Sequence, residues 1–181
     1  MKRKIKFFDP NIPRKGKISD KNFQFVPRTK IPLPSEVEIS ESGTCNRVCS
    51  FCPRSDPNYK DIKEFISSEL HEKICRQLSE VNFKGILIYS GFNEPMLNKN
   101  IYKNLQQAKN FLPLAKIEII TNGDVLNISR LKKLFDCGLT TILISVYDGP
   151  EDFLRFEKMC KDANLYPKQY IVRKRYLTPE K

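Results

Sequence analysis

From Pro34 onward, short apolar runs rich in β-branched residues alternate with longer segments whose apolar residues recur at helical spacing. That alternation is the pattern of stacked βα units around a parallel sheet. Strands are predicted at Glu36 to Ser40, Gly85 to Ser90, Lys116 to Thr121 and Thr140 to Val146, with a weaker one centred on Tyr170-Ile171-Val172. The run Ile86-Leu87-Ile88-Tyr89 is apolar at consecutive positions, as a strand covered on both faces should be.

The intervening helices have legible ends. Ser67 or Ser68 caps the first, whose apolar face is Leu70, Ile74, Leu78 and Val81. Asn98 or Asn100 precedes the second, with Ile101, Leu105 and Ala108 inward. In the third, Ile128, Leu131, Leu134 and Phe135 form the stripe, and Gly138 is placed to end it. Pro150 opens the fourth, which buries Phe153, Phe156 and Cys160.

This order predicts an α/β fold, a (β/α) barrel or part of one, with right-handed crossovers. In such barrels the loops after the strands form the active face, so unusual residues should fall just after strands. They do: Cys45 to Cys52 follow the first strand, Gly91 to Pro95 the second, Thr121-Asn122-Gly123 the third and Ser145 to Gly149 the fourth.

Charge divides the chain differently. Of a formal net charge of +11, about +8 lies before residue 31, where ten basic residues stand against Asp9 and Asp20. With Pro10, Pro13 and Pro27 and no strand or helix period, residues 1–34 read as a basic, irregular N-terminal arm ahead of a core at 35–181. The arm is either a solvated tail or a sequence-independent contact for polyanions such as RNA. No apolar run is long enough to span a bilayer, and Met1-Lys2-Arg3-Lys4 lacks a following apolar segment, so the expectation is a cytoplasmic protein. Six cysteines in that setting are thiols or metal ligands rather than disulfides.

Cys45, Cys49 and Cys52 stand at C-x3-C-x2-C in one loop, close enough to wrap one inorganic cluster. A structural zinc site or an electron-transfer cluster takes four protein ligands, whereas three thiolates on a four-iron cluster leave one iron open. Nothing nearby offers a fourth. The sole histidine, His71, falls on the polar side of the first predicted helix and reads as a surface residue, while Cys75, Cys137 and Cys160 read as isolated buried thiols.

With Phe51 before its last cysteine and a strand in front, this loop resembles the signature of the radical S-adenosylmethionine (radical SAM) superfamily. The resemblance implies a 4Fe-4S cluster whose open iron chelates the amino and carboxylate groups of S-adenosylmethionine (SAM). In the family, an electron from the cluster breaks the sulfonium bond to the ribose, and the 5′-deoxyadenosyl radical abstracts hydrogen from a substrate. It further implies an external electron donor of flavodoxin or ferredoxin type.

Ser90-Gly91-Phe92-Asn93-Glu94-Pro95 is similar to the family's Gly-Gly-Glu-Pro segment, which contacts the methionine amino group. By that resemblance Gly91, Phe92, Asn93 and Glu94 bind cofactor. Asn93 replaces the second glycine, and asparagine tolerates the positive φ such a turn can need. Thr121 and Ser145 resemble the residues after strands three and four that meet the ribose and carboxylate, although Asn-Gly and Asp-Gly are also common turn dipeptides. Arg173 matches a basic residue that pairs with the methionine carboxylate in several relatives. Tyr147 and Asp148 face the same end and are the residues to test for substrate effects.

The resemblance covers about Pro34 to Arg175 and is to the SPASM or twitch type. It implies a partial barrel of about five parallel strands, with the usual sixth and the cysteine-rich extension beyond Lys181 missing. The expectations are a minimal form, a truncated product, or a chain whose partner covers the open sheet edge. Two other readings stand beside a radical enzyme: an iron-sulfur protein without radical turnover, serving electron transfer or as a scaffold, and an RNA-directed radical SAM modification domain. The substrate is not specified by any acid or base pair.

Overall fold

A computed structural model describes Arg14 and residues 24–176. The first described elements are two very short strands, β1 (Gln24–Phe25) and β2 (Pro32–Leu33), paired antiparallel. Then come β3 (Glu36–Ile39), β4 (Ser42–Gly43) and β5 (Ile62–Phe65), of which β4 and β5 form a second small antiparallel ribbon. From there the βα rhythm takes over: α1 (Ser68–Glu80), β6 (Ile86–Tyr89), α2 (Ile101–Phe111), β7 (Lys116–Thr121), α3 (Ile128–Asp136), β8 (Thr141–Val146), α4 (Pro150–Asp162) and β9 (Tyr170–Lys174).

Five strands pair in parallel in the order β3-β6-β7-β8-β9, which is the predicted partial (β/α) barrel. Registers run straight across, Ile39 beside Tyr89 and Tyr89 beside Ile119, so the strands end at one level and their loops share one face. Every residue of β6 is at most 1% exposed, as its uninterrupted apolar run requires. The helix-facing side of the sheet (Leu87, Tyr89, Ile117, Ile119, Ile142, Ile144) packs against Leu105, Leu131, Leu134, Phe156 and Cys160 in one apolar layer. Cys75, Cys137 and Cys160 are buried thiols, as expected.

Three helices end in the same way. After α1, α3 and α4 come Asn82, Gly138 and Asn164, all with positive φ. In each case the next residue, Phe83, Leu139 or Leu165, donates its amide to the carbonyl five residues back, of Leu78, Leu134 or Cys160. This 6→1 closure satisfies helix-end carbonyls and turns the chain toward the next strand. Glycine suits the middle case because a Cβ on Gly138 would lie 2.6 Å from Lys109 Cβ. At the other ends, Ser67 caps α1 by accepting from the Leu70 amide at 3.1 Å, and Asn127 caps α3 by accepting from the Arg130 amide at 2.8 Å.

Three expectations need correction. His71 is fully buried: Nε2 lies 2.8 Å from the Tyr89 hydroxyl and Nδ1 2.9 Å from Gln107 Oε1. Burial holds its pKa below the ordinary value, favouring the neutral ring. Leu70, assigned to the inner face, is 51% exposed, because α1 turns Ser68, His71 and Cys75 inward instead. Ile128, at the start of α3, is 38% exposed rather than buried. Within the predicted irregular arm, residues 24–33 form a hairpin, and Arg14 pairs through both guanidinium nitrogens with buried Glu118 of β7. That arginine is turned to the sheet; most of the arm lies outside the described residues. No described helix is long and apolar enough to cross a membrane.

Candidate functional site

At the C-terminal ends of the parallel strands lies a cavity of about 440 Å³. Every cluster and cofactor residue expected from the sequence lines it, Cys45, Cys49, Phe51 and Cys52, Gly91 to Glu94, Thr121, Ser145 and Arg173, and so does Tyr147, whereas Asp148 does not. Its volume is in the range of small-molecule sites.

The cysteine loop follows β3 and the first strand of the small ribbon. Cys52 donates its amide to Cys49 O at 2.9 Å, and Ser55 closes the end of the loop onto Cys52 O through amide (2.9 Å) and hydroxyl (2.8 Å). Arg54 ties this segment down by donating to Gly43 O (3.0 Å) and Phe92 O (3.3 Å) and pairing with Asp61. The Arg47 amide and Asn122 Nδ2 point at Cys45 Sγ, at 3.4 and 3.8 Å. Burial pushes the Cys45 and Cys49 thiols up from their ordinary values.

The second loop is braced from within. Gly91 takes φ 128° against the first loop, where a Cβ would lie 2.4 Å from Ser40 Oγ. Glu94, 1% exposed, accepts from the Met96 amide (3.0 Å) and Thr121 hydroxyl (2.7 Å) on Oε1, and from the Asn122 amide (2.8 Å) on Oε2. Burial raises its pKa above the usual carboxylate value. Its first structural task is thus to join the loops after β6 and β7. Asn93 adopts no positive φ, so the glycine-like turn expected there is absent. Its amide instead donates to Ser42 O at 2.8 Å, while its Oδ1 is buried without a hydrogen-bond partner among the described residues.

Farther round, Arg173 Nη2 donates to Ser145 Oγ at 2.9 Å, linking the ends of β9 and β8. Phe51 lies against Tyr147, ring centroids 5.6 Å apart. Arg47, Arg54, Asn122 and Asp124 were not singled out from sequence. The first two sit in or beside the cysteine motif and the others in Thr121-Asn122-Gly123-Asp124, so adjacency was the available signal.

Residues 39–171 match the sequence model of the radical SAM superfamily. The chain belongs to this superfamily. Its members bind a 4Fe-4S cluster and SAM. The radical SAM chain is 30% identical over 123 residues to the S-adenosyl-L-methionine-dependent 2-deoxy-scyllo-inosamine dehydrogenase of Niallia circulans, covering 68% of this chain and 49% of that protein. To the GTP 3′,8-cyclase of Aquifex aeolicus it is 28% identical, covering 67% of this chain and 38% of that one. Among solved structures, BtrN in complex with AdoMet and 2-DOIA superposes with a TM-score of 0.67 at 26% identity, over 80% of this chain and 56% of that one. The chain thus spans about half the length of the first of these curated relatives and less than two fifths of the second.

The donor set here suits the family's cofactors. No fourth thiol and no imidazole lines the cavity among the described residues. Nor, among the described residues, do three His, Cys, Asp or Glu side chains converge on a single ion, and a cubane asks for something different, one iron for each thiolate. Beside the thiols, the unpartnered Asn93 Oδ1 is a buried acceptor suited to an ammonium donor.

Proposed function

We propose that this chain is the catalytic core of a radical SAM enzyme, with Cys45, Cys49 and Cys52 as the three ligands of a 4Fe-4S cluster. The observation that carries the reading is that three thiols, and no fourth thiol or imidazole among the described residues, line the cavity that also receives the Gly91–Glu94 turn. When bound, the cluster and SAM supply a one-electron cleavage that starts hydrogen abstraction from substrate.

The chain's own residues hold and orient these groups. Asn93 Oδ1 accepts from the cofactor's ammonium, and Gly91, whose missing side chain lets the turn pack against Ser40, keeps that turn at the cavity wall. Glu94 keeps acceptor capacity on Oε2, which carries one bond, while its other bonds fix Thr121 and Asn122 at the cavity wall. Arg173, steadied by Ser145 Oγ, meets the cofactor carboxylate. Phe51 and Tyr147 close the apolar side beside the cysteine loop. An external low-potential donor supplies the electron. The named relatives are a 2-deoxy-scyllo-inosamine dehydrogenase and a GTP 3′,8-cyclase, two different substrates.

Anaerobically reconstituted protein given dithionite and SAM is expected to release 5′-deoxyadenosine. Its absence from protein with an intact cluster would support an iron-sulfur protein without turnover instead.

A further inference from the structure

Between the first two cysteines of the loop sits Arg47, and its side chain reaches across the cavity rim to two other strand ends. Nε and Nη2 donate to the two oxygens of Asp124, after β7, at 2.7 and 2.6 Å. Nη1 and Nη2 donate to the two oxygens of Asp148, after β8, at 2.9 and 2.5 Å. The guanidinium also lies 5.4 Å from the centre of the Tyr147 ring. Asn46 repeats the tie at shorter reach, donating to Asp124 Oδ2 and accepting from Asn122 Nδ2, both at 2.8 Å.

One planar guanidinium that holds two carboxylates bidentately fixes direction as well as distance, which a lysine ammonium does not. The partners are 77 and 101 residues away in sequence, so the contact crosses the mouth of the barrel rather than decorating one loop.

We propose that Arg47 is a positioning residue that clamps the cysteine loop onto the ends of the third and fourth barrel strands without help from the cluster. The three thiols then wait at one place before iron arrives, and the ordering entropy of the loop is met by protein contacts instead of by metal binding. The proposal rests on the reading of those thiols as cluster ligands only for its purpose, because every contact of the clamp is between protein side chains.

The test is pulsed alkylation of the apo protein under reducing conditions, with labelling mapped cysteine by cysteine. Cys75, Cys137 and Cys160 are buried and serve as internal reporters of the fold. In Arg47→Gln, labelling of Cys45, Cys49 and Cys52 is expected to speed up about tenfold, the factor carried by one charge-assisted hydrogen bond. The buried three should stay protected, and Arg47→Lys should recover part of the effect. Asp124→Asn should act more strongly than Asp148→Asn, since Asp148 is 53% exposed against 27% for Asp124.

Unchanged labelling of the loop cysteines in Arg47→Gln, with the buried ones protected, overturns the clamp. If that variant unfolds and all six label, Asp148→Asn decides in its place: faster loop labelling supports the clamp and wild-type rates overturn it. Reconstituted Arg47→Gln should also lose iron to a chelator faster than wild type. A wild-type protein that takes up no cluster would defeat the proposed function while leaving the labelling result intact.

Discussion

The layer between the sheet and helices α1–α4 and the rim where the same strands end are built from opposite materials. In the layer, Leu87, Ile117, Ile119, Ile142 and Ile144 meet Leu105, Leu131, Leu134 and Phe156, nearly all without exposure to water. At the rim, successive loops are tied by polar side chains: Asn98 and Asn104 hold Glu41, Glu94 holds Thr121 and Asn122, Arg47 holds Asp124 and Asp148, and Arg173 holds Ser145. Apolar burial is non-directional and adds up with area, so it fixes the fold without fixing any one atom. Hydrogen bonds contribute about 1 kcal/mol each but set direction, which a cluster loop and a cofactor pocket require. Stability should therefore reside in the layer and geometry in the rim.

The largest test of that division is Ile119→Ala, expected to cost about 2–5 kcal/mol through lost burial and the cavity left behind. The shift in urea midpoint measures it, and a loss under 1 kcal/mol would mean the layer is not the stabilising part. Next comes Glu94→Ala. It strands the Thr121 hydroxyl and the Asn122 and Met96 amides, and should cost about 1–3 kcal/mol of stability. In the same variant SAM should dissociate more readily from reconstituted protein, whereas Ile119→Ala that remains folded should bind it normally.

A smaller effect follows from Glu41, whose carboxyl burial holds above its ordinary pKa of 4.5. A buried carboxyl with a raised pKa binds its proton more tightly in the folded chain. Its contribution is thus complete below the ordinary pKa and fades as pH rises through the folded value. Glu41→Gln should flatten this decline in denaturation midpoint as pH rises above 4.5; an unchanged slope would locate the dependence elsewhere. Smallest of all is Lys158→Ala, which removes an exposed pair with Asp162 on α4 and should move stability by no more than about 0.5 kcal/mol.

The same division governed what the sequence revealed. Apolar runs such as Ile86-Leu87-Ile88-Tyr89 and helical stripes such as Ile101, Leu105 and Ala108 located all five barrel strands and the four helices, because burial writes a local period. The cavity-lining motifs were legible because each is contiguous and follows a strand. The ribbon of β4 and β5 was not, since the two residues of β4 show no alternation and all four of β5 are exposed. His71 was misplaced because a hydrogen-bonded imidazole counts as polar in any pattern, yet Tyr89 and Gln107 satisfy it inside. Arg47 and its aspartates, and Arg14 with Glu118, are joined only by the fold, across separations of 77 to 104 residues.

The most direct test of the functional account is electron paramagnetic resonance of the dithionite-reduced, anaerobically reconstituted protein, recorded before and after SAM is added. The account predicts a 4Fe-4S signal that changes shape when the cofactor binds the iron left without a cysteine, and that disappears when Cys45, Cys49 and Cys52 are replaced by alanine. A protein that forms no such cluster, or whose signal is indifferent to SAM, would contradict it.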